Sequence, residues 1–122
     1  MAVDRMAVLS AMMDQGVIPV FYHHDAEVCK KVIQACVNSG AKCIEFTNRG
    51  DFASHLFLDL ARHFAREDAS VIMGVGSVVD APTAGIYIAN GAKFVVGPLL
   101  NADIAKVCNR RKIAYSPGCG SL

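Results

Sequence analysis

Apolar runs alternate with amphipathic stretches along the whole chain. Five runs, over Val17–Tyr22, Lys42–Phe46, Ser70–Val75, Lys93–Val96 and Ile113–Ser116, are continuous in their apolar residues rather than alternating. That is the pattern of strands covered on both faces, as in a parallel sheet. Helix patterns lie between them. From Asp51 onward, Phe52, Leu56, Leu60 and Phe64 recur every fourth position and predict a stripe that packs on the sheet. Asp25, Asp51, Asp80 and Asn101 each stand where an N-cap is wanted, and Pro82 falls in the first turn after Asp80. Gly40 and Gly91 follow helix patterns as C-terminal caps. A short helix over about Arg5–Gln15 precedes the first strand.

The element order is therefore β-α-β-α-β-α-β-α-β behind that first helix. Asn38-Ser39-Gly40-Ala41-Lys42 and Ala89-Asn90-Gly91-Ala92-Lys93 repeat one helix-to-strand junction two units apart, which supports regular βα winding. Strand starts 20 to 28 residues apart fit the unit of a (β/α) barrel or of a doubly wound sheet. Pattern alone does not choose between the two. A dinucleotide-binding sheet, however, wants a glycine-rich phosphate loop after its first strand, and that strand exits here through Phe21-Tyr22-His23-His24. Gly74-Val75-Gly76 follows the third strand, but residue 79 is valine, so the G-x-G-x-x-G spacing fails.

Composition narrows the class further. The 122 residues are 53% apolar and 19% charged, which describes one compact domain over residues 1–122 with a real core. A net charge of +1 gives no field for nucleic acid or for an anionic membrane. The basic cluster Arg110-Arg111-Lys112 follows a helix pattern, where cations complement the dipole. No apolar run approaches the roughly 18 residues of a membrane span, and no secretory leader is evident behind Asp4 and Arg5. Five cysteines without a C-x-x-C spacing fit reduced thiols in a cytoplasmic protein, with Cys29 and Cys36 on one helix face. His23-His24 lacks a third ligand nearby, and neighbours on a strand point opposite ways, so a metal site there is a weak reading.

The candidate chemistry sits at strand ends. Glu45-Phe46-Thr47-Asn48-Arg49 places an acid, a hydroxyl and a guanidinium where a buried strand finishes. Burying such groups is costly unless they pair or bind something. A strand that merely runs out into solvent is the plain alternative. In a parallel α/β protein, the carboxyl ends of the strands are where ligands sit. Gly76-Ser77, Gly97-Pro98 and Ser116-Pro117-Gly118 leave the following three strands and converge on the same rim.

Five phrases in order carry a family resemblance: Val17-Ile18-Pro19-Val20, Ile44-Glu45-Phe46-Thr47-Asn48-Arg49, Gly74-Val75-Gly76-Ser77-Val78, Phe94-Val95-Val96-Gly97-Pro98 and Tyr115-Ser116-Pro117-Gly118. Together they resemble the 2-keto-3-deoxy-6-phosphogluconate (KDPG) aldolase / 4-hydroxy-2-oxoglutarate (KHG) aldolase family over essentially the whole chain. The resemblance implies the α/β fold of a (β/α)8 TIM barrel, of which this chain covers about the first four and a half βα units. It implies a class I, Schiff-base aldolase, commonly trimeric and using neither cofactor nor metal. Such an enzyme cleaves a 2-keto-4-hydroxy acid to pyruvate and an aldehyde such as glyceraldehyde 3-phosphate.

Carried over by position, Glu45 corresponds to the general acid/base and Arg49 to the residue that holds the keto-acid carboxylate. Ser77 stands where the family has a threonine at the same end of the substrate. Thr47 and Pro98 join the substrate-binding set, although Gly97-Pro98-Leu99 departs from the family's Ser-Pro-Gly. The Schiff-base lysine is expected outside the chain. Lys42, Lys93 and Lys112 begin strands and belong to the opposite end of the barrel, while Lys30, Lys31 and Lys106 belong to helices. The expected partners are a small keto acid and further copies of the chain. A half-barrel should also leave inner-face residues such as Ile18, Ile44 and Ile72 partly uncovered unless something else covers them. The rival readings are a non-catalytic half-barrel with an assembly or regulatory role and a phosphosugar isomerase-like barrel enzyme.

Overall fold

The computed structural model describes residues 3–121. Helix α1 (Arg5–Gln15) leads into strand β1 (Val20–Phe21), and four βα repeats follow: α2 (Ala26–Asn38), β2 (Cys43–Thr47), α3 (Ala53–Glu67), β3 (Ile72–Gly76), α4 (Ala81–Ala89), β4 (Phe94–Gly97), α5 (Ala102–Arg111) and β5 (Ala114–Pro117). The strands form one parallel sheet in the order β1-β2-β3-β4-β5. That order decides between the two architectures left open above. A doubly wound sheet reverses direction at a switch point, whereas a barrel adds each strand beside the one before it.

Most helix ends obey the capping chemistry of their sequence. Asp4, Asp25, Asp80 and Asn101 each accept first-turn N–H groups of the helix that follows. Gly40 and Gly91, at φ of 96° and 104°, make the left-handed turns after α2 and α4. Helix α3 departs from expectation. Its N-cap is Phe52, not Asp51, at φ 62° and with no side-chain cap. The buried stripe of α3 is accordingly Ala53, Phe57, Leu60 and Phe64, while Phe52 is 80% exposed and Leu56 half-buried. A strict four-residue spacing drifts around a helix of 3.6 residues per turn, so the true stripe mixes threes and fours.

Strands β2 to β5 each begin one or two residues later than their apolar runs, and β1 shrinks to two residues. Proline has no N–H to give to a ladder, so Pro19 contributes only its carbonyl, which accepts from Glu45 N–H at 2.9 Å. Before that point Gln15 takes over the pairing. Its amide nitrogen donates to the Val17 and Cys43 carbonyls at 2.6 and 2.9 Å. Its amide oxygen accepts from the Lys42 and Cys43 N–H groups at 2.7 and 2.9 Å.

The two faces of the sheet carry different cores. Ile44, Phe46, Met73, Val75 and Val95 point to the side covered by α2–α5 and join a large cluster that includes Phe57 and Tyr87. Cys43, Ile72, Phe94 and Ala114 point the other way and meet Val8 of α1. Ile44 is therefore not an inner-face residue: it is fully buried under the helices. Ile72 is an inner-face residue, but with α1 packed there it is only 7% exposed. Ile18 is half-buried in the same cluster.

On β3 the inner face holds no side chain above Ile72. A Cβ at Gly74 would strike the Phe94 ring. Gly74→Ala should therefore cost about 1–3 kcal/mol by overpacking. Gly85, in the interior of α4, has open space around its missing Cβ, and Gly85→Ala should gain roughly 0.5–1 kcal/mol. Urea unfolding of both variants checks the opposite signs.

Candidate active site

Glu45 lies in the middle of β2, on the inner face with Cys43, between Val20 of β1 and Gly74 of β3 in the register. Its carboxyl lies across the neighbouring strand at Gly76, where a Cβ would collide with it. The glycine at 76 is what lets an acid occupy this position. Burial raises the Glu45 pKa above its usual 4.5, and the Arg49 guanidinium pulls it back down. An acid held up by desolvation and checked by a cation is a group that can both keep and release a proton.

Arg49 follows the end of β2 by two residues and is exposed. Among the described residues it makes no ion pair, so its guanidinium is available to an external anion. The turn that carries it is held firmly. Asn48 N–H donates to the Gly76 carbonyl at 2.9 Å, and Arg49 N–H to the Thr47 carbonyl at 3.0 Å. The Tyr87 hydroxyl donates to Asn48 Oδ1 at 2.8 Å. Gly50 has its Cα against the Tyr22 phenol, leaving no room for a side chain.

Ser77 follows β3 at φ 59°, a left-handed conformation uncommon for serine, and is half-buried. Backbone strain of this kind clusters at functional sites. Ser77 and Arg49 thus leave adjacent parallel strands at their carboxyl ends, beside Glu45. Thr47 is placed differently. It is 1% exposed, and its hydroxyl donates to the Phe21 carbonyl at 3.4 Å, so it ties β2 to β1. Pro98 is exposed on the β4 side of the rim, where its carbonyl abuts Gly118. There Gly118 N–H donates to the Gly97 carbonyl at 2.7 Å, and the Tyr115 hydroxyl bridges Asn101 N–H and the Leu99 carbonyl at 3.1 and 3.3 Å.

The histidine pair sits in the loop after β1 rather than on a strand. Its rings stack at 4.5 Å instead of pointing opposite ways. His23 Nδ1 accepts from Asp25 N–H at 3.0 Å. Among the described residues no group of three or more His, Cys, Asp or Glu could hold a metal ion. Nor is any described helix long and apolar enough to cross a membrane. A groove of about 450 Å³ lies away from the rim, between α3 and α4.

Sequence reasoning passed over Asn48, Tyr22 and Tyr87. A polar residue between Thr47 and Arg49 was a visible signal. Tyr87 lies in the apolar helix α4, whose sequence carries no local sign of a distant polar contact.

A profile of the family described as KDPG and KHG aldolase matches residues 8–121. The chain belongs to that family. It is 30% identical over 112 residues to a 2-dehydro-3-deoxy-phosphogluconate aldolase of Pseudoalteromonas atlantica, covering 91% of this chain and 50% of that protein. It is 26% identical over 106 residues to the KHG/KDPG aldolase of Escherichia coli K12, covering 87% of this chain and 48% of that protein. Among solved structures, the 2-keto-3-deoxy-6-phospho-gluconate aldolase of Zymomonas mobilis superposes with a TM-score of 0.77 at 27% identity, covering 90% of this chain and 51% of that one. The chain thus spans about half the length of the curated aldolases it matches, and its parallel sheet with alternating helices has the TIM-barrel-like fold of those structures.

The Glu45 carboxyl can be followed by carbon-detected NMR titration. Its midpoint should lie above 4.5 and rise further in Arg49→Ala, because the opposing cation is gone. A folded-state pKa above the unfolded one contributes stability that is full at acid pH and lost as the pH rises through the folded midpoint. Glu45→Gln should therefore gain stability relative to the parent between about pH 4 and neutrality, and urea unfolding across that range checks the sign.

Proposed function

We propose that this chain supplies the carboxylate-binding and proton-transferring half of a class I aldolase active site. The complete protein would cleave a 2-keto-4-hydroxy acid of the 2-keto-3-deoxy-6-phosphogluconate type to pyruvate and an aldehyde. The carrying observation is the Glu45 carboxyl laid across Gly76, with Arg49 as its opposing cation. Arg49 grips the carboxylate of the keto acid, as a guanidinium fork does best. Ser77 contributes its hydroxyl at the same end. Glu45 moves protons during carbinolamine formation and carbon–carbon cleavage. Thr47 supports this group from within the sheet, and Pro98 borders it on the β4 side.

The amine that forms the imine must lie within reach of the rim with its pKa lowered. Lys42 and Lys93 precede β2 and β4, and Lys112 is the left-handed cap before β5, so all three belong to the opposite end of the sheet. Lys30, Lys31 and Lys106 lie on α2 and α5. The imine-forming lysine in this reading comes from outside residues 1–122. A relative, the Zymomonas mobilis enzyme, was solved with 3-phosphoglycerate, which favours a phosphorylated aldehyde half. The protein works in the cytoplasm as a homo-oligomer, a trimer by family resemblance. The placement of the six lysines also favours a second reading, a barrel portion without catalytic activity of its own.

Borohydride reduction of the complete protein with pyruvate, followed by peptide mass mapping, separates the two. One pyruvyl adduct on a lysine outside these 122 residues is expected. No adduct would favour the non-catalytic reading, and an adduct on Lys42, Lys93 or Lys112 would overturn the placement of the chemistry. In the active protein Glu45→Gln should lower turnover by roughly 10²–10⁴-fold while sparing affinity. Arg49→Ala should mainly raise KM, because the carboxylate contact is made in ground and transition states alike.

A further inference from the structure

Tyr87 is almost wholly buried, at 1% exposed, and its ring packs edge-on against Phe57 at 5.2 Å. A phenylalanine would fill that place. The hydroxyl is an added burden: burial pushes its pKa up to about 12, with the Tyr22 phenol adding to the effect. What offsets the burden is one hydrogen bond, 2.8 Å to Asn48 Oδ1, between residues 39 positions apart. Two apolar side chains could close the same space without a polar atom to satisfy. Such a pair, held where packing does not need it, fixes a geometry rather than adding stability.

The geometry it fixes is that of the turn carrying Arg49. Asn48 is joined to α4 through its side chain and to β3 through its N–H. On the other side of Arg49, Gly50 is backed by the Tyr22 phenol and accepts from Ala53 N–H at 3.2 Å. The arginine between them is long, exposed and free of side-chain partners among the described residues. Only the backbone can aim it. We infer that Tyr87 is a positioning residue that acts through Asn48 to hold Arg49 where it meets the carboxylate of the substrate. The inference rests on the role proposed for Arg49.

Four variants of the complete protein test it: Tyr87→Phe, Asn48→Leu, the double variant, and Tyr87→Phe in an Arg49→Ala background. Tyr87→Phe should raise KM for the keto acid about 3- to 10-fold, the span of one neutral hydrogen bond, with kcat changed less than about twofold. Amide exchange at residues 48–50 should quicken. The double variant leaves neither polar partner buried alone, so its thermal stability should recover while KM stays raised. In the Arg49→Ala background Tyr87→Phe should have no further effect.

A parental KM in Tyr87→Phe overturns the inference. So does a KM in the double variant that recovers with stability, which is what a purely structural bond would give. An undiminished Tyr87→Phe effect without Arg49 overturns it too, since Tyr87 would then act elsewhere. An Arg49→Ala protein with an unchanged KM would remove the role of Arg49 itself and the Tyr87 inference with it. That failure is distinguishable because it shows in the single arginine variant.

Discussion

Side chains of two neighbouring strands need the space that residues of β3 would otherwise fill. Phe94 from β4 lies over Gly74, and the Glu45 carboxyl from β2 lies over Gly76. The two glycines share one strand face, so a ring and an acid become near neighbours on an otherwise bare strip of backbone. Below this strip the inner face is apolar and packed on α1. Above it the face ends in the polar rim. The boundary falls within two residues of β3, and it is where a carboxyl can be desolvated enough to hold a raised pKa while staying close to an arginine.

Much of this was readable from the sequence for simple reasons. Helix α1 was expected over about Arg5–Gln15 and spans those residues, and the structure shows Asp4 and Gly16 capping its two ends. The strands were found because residues covered on both faces are mostly apolar, so their runs do not alternate. That same property hid their inner and outer faces: without alternation, Ile44 and Ile72 look alike, and only the register separates them. The start of α3 was misplaced because Asp51 is the better cap by residue type. The structure instead uses the tight turn at Gly50, with Phe52 in a left-handed conformation.

Glu45, Arg49 and Ser77 stood out in the sequence because they fall in two recognisable phrases that carry β2 and β3 into their loops, although the structure sets Glu45 in the middle of β2 rather than at its end. The rest of the site did not, since its contacts join distant elements. Tyr87 reaches Asn48 from the next helix but one, and Tyr22 reaches Gly50 from the loop after β1. Neither contact has a local sequence period. Thr47 shows the limit from the other side. A hydroxyl two residues from an acid reads as a site residue, yet its bond here runs to the Phe21 carbonyl inside the sheet.

The order of the strands has a consequence for how the chain acquires this shape. Each strand pairs with the one just before it, and the paired residues lie only 20 to 29 positions apart. The loop closed at each step stays short, and its entropic cost changes little from one unit to the next. Parallel sheets assembled from distant segments are slow to form because many residues must be ordered before any pairing repays them. Here every βα unit can dock as soon as it exists. Gln15 joins α1 to β2 before β3 is needed. Assembly can thus run in one direction along the polypeptide, from amino to carboxyl end, at the pace of synthesis.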